Sequence, residues 1–181
     1  EISIAKSKSF VAINPFTSSR ANNYREWGYD NYSVISDYLK NEYSIDTIFL
    51  GKTSSNKKLQ LEKNIKNKSN VINLINKTTL GQMLSILNVC KFYIGPDSGS
   101  LHMANMLKIP VIGLYATSNP KRTGPYKNLK YTVDRYEEAL NKFSNKTITD
   151  VKWGERVREK DAMKLITLDD VKLMIKKILS N

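Results

Sequence analysis

Apolar residues recur along this chain with two alternating periods. Phe10 to Asn14 (FVAIN), Asp46 to Gly51 (DTIFLG), Val71 to Ile75 (VINLI), Lys91 to Gly95 (KFYIG) and Ile109 to Ala116 (IPVIGLYA) are short apolar runs. Their length and their β-branched and aromatic content predict strands. Between them the spacing changes to that of a helix face. Val34, Ile35, Tyr38 and Leu39 mark one helix, and a Lys-rich helix is expected after the second strand. Leu80, Met83, Leu84 and Leu87 form an apolar stripe behind Thr79, which makes a capping-box signature with Gln82. Ser100 to Leu107 predicts a further helix. So does the end of the chain, where Leu168, Val171, Ile175 and Ile178 share a face behind Thr167 and Asp170. After about Asn128 the pattern weakens. Lys130 to Val133 (KYTV) predicts an edge strand, and the polar stretch from Asp134 to Met163 reads as irregular.

Strands alternating with helices predict an α/β fold, a parallel sheet with helices on both faces. Ligands of such sheets bind beyond the carboxyl ends of the strands. The loops that follow the strands are Pro15–Trp27, Gly51–Ser55, Gly95–His102 and Ala116–Tyr126, and they hold most of the unusual chemistry in the chain.

Composition narrows the picture. With 181 residues and 40% hydrophobic content the chain suits one ordinary domain, here residues 1–181, with its own core. No window approaches the ~18 consecutive apolar residues of a membrane span, and the first residues do not resemble a signal peptide. The chain opens on Glu1 rather than Met, so a fragment of a longer protein is expected. Cys90 is the one cysteine, which fits a reducing compartment. The net charge of +12 favours anionic partners such as nucleotides or an anionic membrane surface. Lys and Asn are frequent throughout, so a general composition bias explains the charge equally well. No specific nucleic-acid partner is expected, because zinc-finger, RNP and basic-zipper patterns are lacking.

The loop after the fourth strand carries the densest chemistry: Asp97, Ser98, Gly99, Ser100 and, three residues beyond Gly99, the single histidine, His102. The glycines Gly95 and Gly99 permit backbone conformations that other residues resist. Amides at a helix start are unpaired and bind phosphate well. The hydroxyls of Ser98 and Ser100 add donors, and Asp97 can accept from sugar hydroxyls. Two readings stay open on these residues alone. One is a phosphate socket; the other is an ordinary cap by Asp97 or Ser98, contributing about 1 kcal/mol. His102 by itself reads as a packed or surface residue within reach of such a phosphate. In the first loop Thr17, Ser18, Ser19, Arg20 and Arg25 suit a pyrophosphate, although a solvated polar loop describes them as well. In the fourth, Thr117, Ser118 and Thr123 are small and polar between the stiffening Pro120 and Pro125. The four loops lack Asp-x-Asp and any carboxylate cluster, so no required metal is expected. A Walker loop and a G-x-G-x-x-G after the first strand are lacking too, which lowers the case for an NTPase or a dinucleotide enzyme.

Taken together, these segments resemble a known family. The segment NPFTSSRANNYREW, Asn14 to Trp27, is similar to the one that opens the C-terminal domain of the ADP-heptose:lipopolysaccharide heptosyltransferases, glycosyltransferase family 9. Arg25-Glu26-Trp27 stands where those proteins have Lys-x-Trp. The stretch from Asn76 to Tyr126 resembles the family's Asp-[Ser/Thr]-Gly-x-x-His segment with its following strand, Thr/Pro loop and Gly-Pro-Tyr. The terminal helix is similar as well. The resemblance runs from about Phe10 to Leu179. It implies a GT-B fold, two Rossmann-like domains with the active site between them, of which this chain is the C-terminal, donor-binding half.

The resemblance also implies roles. Thr17 and Ser18 would contact the donor's diphosphate, and Arg25 would neutralise it as the nucleotide leaves. Asp97 would hold hydroxyls of the transferred sugar. Ser98 and Gly99 would cradle phosphate, with His102 close by. The general base would be an Asp of an N-terminal acceptor domain that this chain does not include, so the domain alone is expected to bind donor and to catalyse poorly. There are three departures: Arg for Lys at position 25, no acidic residue after the second strand, where only Lys52 and Thr53 are offered, and Phe16 where Ala or Gly is usual.

The expected function is that of the nucleotide-sugar-binding domain of an inverting, metal-independent glycosyltransferase. It would use ADP-heptose as donor and no cofactor, and the lipopolysaccharide core as acceptor, at the cytoplasmic face of the bacterial inner membrane. The rivals are a non-catalytic nucleotide- or phosphate-binding module, an RNA-binding protein, and another sugar-nucleotide enzyme of the same fold such as an epimerase.

Overall fold

Six parallel strands form one sheet in the order β3-β2-β1-β4-β5-β6. The computed structural model describes residues 9–17, 23–65 and 67–180. The strands are β1 (Phe10–Ile13), β2 (Asp46–Phe49), β3 (Val71–Asn73), β4 (Tyr93–Pro96), β5 (Val111–Tyr115) and β6 (Val133–Asp134). Every residue of β1, β2, β4 and β5 is buried. That is why these strands are apolar runs rather than alternating patterns: helices cover both of their faces.

Side chains alternate between two cores. Val11 and Ile13 of β1, Ile94 of β4 and Ile112 of β5 share one core with Ile35 and Leu39 of α1 (Tyr29–Tyr43), Leu61 of α2 (Ser55–Asn64) and Val171 and Ile175 of the terminal helix. Phe10, Ala12, Tyr93 and Val111 share the other with Ile86 and Leu87 of α3 (Leu80–Val89) and Leu101 and Ala104 of α4 (Gly99–Met106). The chain therefore winds away from β1 along one face through β2 to β3. It then returns along the other face through β4 to β5. At β1 and β4 the strand order reverses, and the loops leaving these two strands part to open a crevice.

The helix ends follow their sequence signals. Thr79 with Gln82 forms a complete capping box on α3. Thr167 with Asp170 does the same on the terminal helix, Leu168–Leu179. The stripe expected on α3 is only partly right. Leu80 is 58% exposed, and Ile86 is buried with Leu87.

The stretch expected to be irregular contains a helix. After the short α5 (Pro120–Thr123), α6 (Tyr136–Ser144) buries Tyr136, Ala139 and Leu140 and ends at Asn145 in the left-handed region. Its spacing and its acidic first turn, Glu137 and Glu138, are ordinary helix signals that its polar composition masks. The terminal helix is then α7.

Gly95 and Gly99 do not use that conformational freedom. Among the glycines only Gly51 has a positive φ, 111°. Gly95 is required by crowding: a Cβ there would stand 2.5 Å from the Tyr93 hydroxyl and 2.8 Å from the Asn14 carbonyl oxygen. A Cβ on Gly99 would meet nothing within 4 Å.

Candidate functional site

The crevice is built from backbone ends first. Asn14 closes β1 and ties three elements together. Its Oδ1 accepts from the Phe16 amide at 3.0 Å, and its Nδ2 donates to Ser100 Oγ at 2.7 Å in α4. Ser100 Oγ is also 2.8 Å from the Tyr93 hydroxyl and 3.0 Å from Ser98 Oγ. Burial pushes the Tyr93 phenol up to about 12 against the pull of its hydrogen bonds to Ser100 and Ser98, so it stays protonated. This buried polar cluster fixes the start of α4 against the end of β1.

Ser98 is the N-cap of α4, but its side chain makes no cap hydrogen bond. Among the described residues no side chain therefore caps the first turn of α4, contrary to the capped-turn alternative. That turn lines a cavity of about 390 Å³. Its polar wall includes Thr17, Ser98 and Gly99, and its apolar wall Phe16, Leu80 and Met83. Gly51 and Lys52, from the loop after β2, complete one rim.

Asp97 is the electrostatic centre. It is 6% exposed, and three loops converge on it. Oδ2 accepts from Ser118 Oγ at 3.0 Å and from Thr123 Oγ1 at 3.3 Å, both from the loop after β5. Arg25, from the loop after β1, places Nη1 3.0 Å from the Asp97 carbonyl oxygen and 3.8 Å from Oδ2. His102 Nε2 lies 3.6 Å from Oδ1. Burial acts to raise the Asp97 pKa. The nearby His102, the hydrogen bond from Ser118 and the charge of Arg25 outweigh it and hold the carboxyl below its ordinary range.

Of the residues singled out in the sequence, Thr17, Arg25, Asp97, Ser98, Gly99 and His102 are gathered at the carboxyl ends of β1 and β4. Ser18 lies outside the described residues, as do Ser19 and Arg20. Phe16 does not crowd the loop. It is 2% exposed, packs edge-on against Tyr29 at 5.7 Å, and forms part of the cavity wall.

Glu26 is a residue the sequence did not single out for a role of its own. Its carboxylate accepts from the Thr17 amide at 3.1 Å, Asn23 Nδ2 at 3.0 Å and the Tyr29 hydroxyl at 3.0 Å, and pairs with Lys57 Nζ at 2.7 Å. It holds the first loop in shape, and Asn23 adds a hydrogen bond to Thr17 Oγ1. Next to it Trp27, 1% exposed, donates Nε1–H to the Ile166 carbonyl at 3.0 Å and pins the loop to the terminal segment. Among the described residues no three His, Cys, Asp or Glu side chains are placed to hold a metal ion. No helix among them is long and apolar enough to cross a membrane.

Comparison with known proteins bears on this arrangement. The sequence model of Glycosyltransferase family 9 (heptosyltransferase) matches residues 2–152. The lipopolysaccharide core heptosyltransferase OpsX of Haemophilus influenzae is 32% identical over 178 residues, covering 95% of this chain and 49% of that protein. Among solved structures, the E. coli ADP-heptose LPS heptosyltransferase II superposes with a TM-score of 0.71 at 20% identity, over 98% of this chain and 48% of that one. The E. coli heptosyltransferase WaaC with ADP gives 0.68 at 15% identity, over 97% and 46%. At these identities the two structures show a shared α/β fold. The chain spans about half the length of the relatives it matches.

Proposed function

The chain belongs to glycosyltransferase family 9, the heptosyltransferases, and on that basis we propose that it is the donor-binding half of an inverting, metal-independent enzyme. The donor is ADP-heptose and the acceptor the lipopolysaccharide inner core, in keeping with the names of its relatives. The observation that carries this reading is the helix start at Gly99, uncapped by any described side chain, lining the cavity and lying beside the Arg25–Asp97 pair. Unpaired amides and a guanidinium are what a leaving diphosphate requires.

Thr17, Ser98 and Gly99 bind the diphosphate, Ser18 of the same first loop contacts it too, and Arg25 neutralises charge as the glycosidic C–O bond breaks. The space in front of Gly99, where a Cβ would touch nothing, is the place of a phosphate oxygen. The apolar wall of Phe16, Leu80 and Met83 takes the nucleobase, which accounts for a leucine left exposed at the head of α3. Asp97 is held ionised by the nearby His102, by Ser118 and by Arg25; Ser118 and Thr123 bond its Oδ2, while Oδ1 faces His102 at 3.6 Å. It therefore retains acceptor capacity for hydroxyls of the transferred sugar. The charge a divalent metal would supply comes instead from Arg25 and the helix amides. The base that deprotonates the acceptor hydroxyl belongs to the half of the relatives that this chain does not span. The enzyme works at the cytoplasmic face of the inner membrane, where a basic surface favours anionic lipid.

Calorimetric titration with ADP, UDP, GDP and ADP-heptose tests the reading. ADP should bind more tightly than UDP or GDP, ADP-heptose more tightly than ADP, and Arg25→Ala should weaken ADP roughly ten- to a hundredfold. A folded protein that binds none of these ligands, or all of them alike, would overturn it.

A further inference from the structure

A second hollow has Arg25 in its own wall and shares no lining residue with the cavity in front of α4. Part of that wall comes from the stretch that the sequence left as irregular. The Val157 amide donates to the Thr117 carbonyl at 3.0 Å, and Ser118 and Arg156 form an isolated antiparallel bridge. In extended backbone successive side chains point to opposite sides. Val157 goes inward and is 2% exposed, while Arg156 and Arg158 stay exposed.

With Asn23, Tyr24, Arg25 and Thr117 these two arginines line a hollow of about 350 Å³. No carboxylate lines it, and among the described residues neither arginine has an acidic partner within 4 Å. The hollow runs on into a wider groove whose further cations are Arg122 and Lys152. Two acids line that groove: Glu155, paired with Lys146 at 3.2 Å, and Glu159, whose Oε1 accepts from the Lys160 amide at 2.8 Å. The hollow is also tied to the reacting centre. Thr117, which holds Val157, precedes Ser118, whose hydroxyl bonds Asp97.

Clustered guanidinium groups without an acid repel one another until an anion joins them. Their fork geometry matches carboxylate and phosphate in two-point contact. We propose that this hollow is a subsite for the acceptor, in which Arg156 and Arg158 bind an acidic group, phosphate or carboxylate, carried near the hydroxyl that receives the sugar. The proposal rests on the donor-site reading, which puts the donor's diphosphate against the α4 amides with Arg25 between the two hollows, and so leaves Arg156 and Arg158 to a second substrate. They act on affinity and orientation; they are not catalytic residues.

The test uses the intact protein that carries this chain, wild type and Arg156→Gln/Arg158→Gln. Both side chains are exposed, so the fold should tolerate the change, and thermal unfolding checks that it does. Equilibrium binding is measured to core-truncated lipopolysaccharide in three forms: untreated, phosphatase-treated, and with its carboxylates converted to amides. Phosphatidylglycerol vesicles form a fourth arm, and calorimetry with ADP a fifth. The expected result is that wild type prefers the untreated form over one treated form by about tenfold or more. The double variant should lose roughly ten- to a hundredfold for the untreated form, with that preference gone and ADP affinity unchanged. The treatment that removes the preference identifies the acidic group. Unchanged binding by the double variant would overturn the proposal. So would equal wild-type binding to all three forms, or an equal loss on the vesicles, which would mark general attraction to a membrane. Failure of wild type to bind ADP would refute the donor reading separately.

Discussion

Replacing Asp97 by Asn separates what this carboxylate does for the fold from what it does for a ligand. The side chain is 6% exposed and accepts from Ser118 at 3.0 Å and Thr123 at 3.3 Å, with Arg25 at 3.8 Å and His102 at 3.6 Å. Asn keeps the shape and one carbonyl oxygen but gives up the charge. Hydrogen bonds to a charged group contribute about 1.5–3 kcal/mol each; with one neutral bond surviving and the attraction of Arg25 gone, the net loss is about 2–3 kcal/mol. In a chain of this size each kcal/mol shifts Tm by about 2–4 °C, so the variant should melt roughly 4–12 °C lower at about pH 7. The pH dependence carries a sign. Burial would raise the Asp97 pKa, but its hydrogen bonds and the nearby charges leave it lowered in the fold. A lowered folded pKa means that the contribution is fully present above the unfolded value of about 3.9 and is lost as pH falls through the folded value. The two melting temperatures should therefore differ by a constant amount from about pH 5 to 8 and converge below about pH 4. Thermal unfolding followed by circular dichroism across a pH series measures this. Equal stability at neutral pH, or a gap that persists in acid, would refute the electrostatic account. Calorimetry on the same pair tests the ligand role, where the substitution should weaken ADP-heptose by about tenfold more than ADP.

Other consequences are more direct. Arg25→Ala should weaken ADP roughly ten- to a hundredfold, and Arg25→Lys should recover part of that, because charge is kept and the two-point fork is lost; equal affinities of both variants and wild type would remove Arg25 from the site. Gly95→Ala should cost about 1–3 kcal/mol, since its methyl group would press on the Asn14 backbone and the Tyr93 hydroxyl, whereas Gly99→Ala should change stability by less than about 0.5 kcal/mol. Gly99→Ala should nevertheless weaken ADP by roughly tenfold, by occupying the space in front of the α4 amides; unchanged ADP binding would mean that the phosphates lie elsewhere. Tyr32→Phe should leave Tm unchanged or raise it, because the Tyr32 hydroxyl is buried without a hydrogen-bond partner among the described residues. A fall of several degrees would reveal a partner that the structure does not show.

Local signals were legible in the sequence and relations across the sheet were not. The buried strands, both capping boxes and the parallel α/β class follow from short-range pattern, because burial on both faces and reciprocal cap bonds are properties of a few consecutive residues. The resemblance named the right family through Asp97 to His102, a segment whose order is itself local. Leu80 and Met83 were assigned to an apolar face by periodicity, yet both line the cavity, since periodicity reports apolarity without saying whether core or ligand space answers it. Helix α6 was missed because its buried stripe of Tyr136, Ala139 and Leu140 is set among charged residues.

What escapes a linear reading is the strand order, and that order assembles the site. Arg25, Asp97 and Ser118 are far apart in the chain and meet because β1, β4 and β5 are neighbours in the sheet with their carboxyl ends aligned. Arg156 and Arg158 are further removed. Their position depends on a backbone bond from Val157 to Thr117, and a main-chain bond leaves no trace in side-chain identity. What the sequence does record is the alternation of exposed Arg156, buried Val157 and exposed Arg158, a two-residue period within a polar stretch. Such a triplet is too short to predict a strand. Once the strand order sets Ser118 beside Asp97, however, the same triplet determines which side of the proposed site receives two positive charges. The half of the site proposed for the donor is thus written in a motif, whereas the half proposed for the acceptor is written in topology.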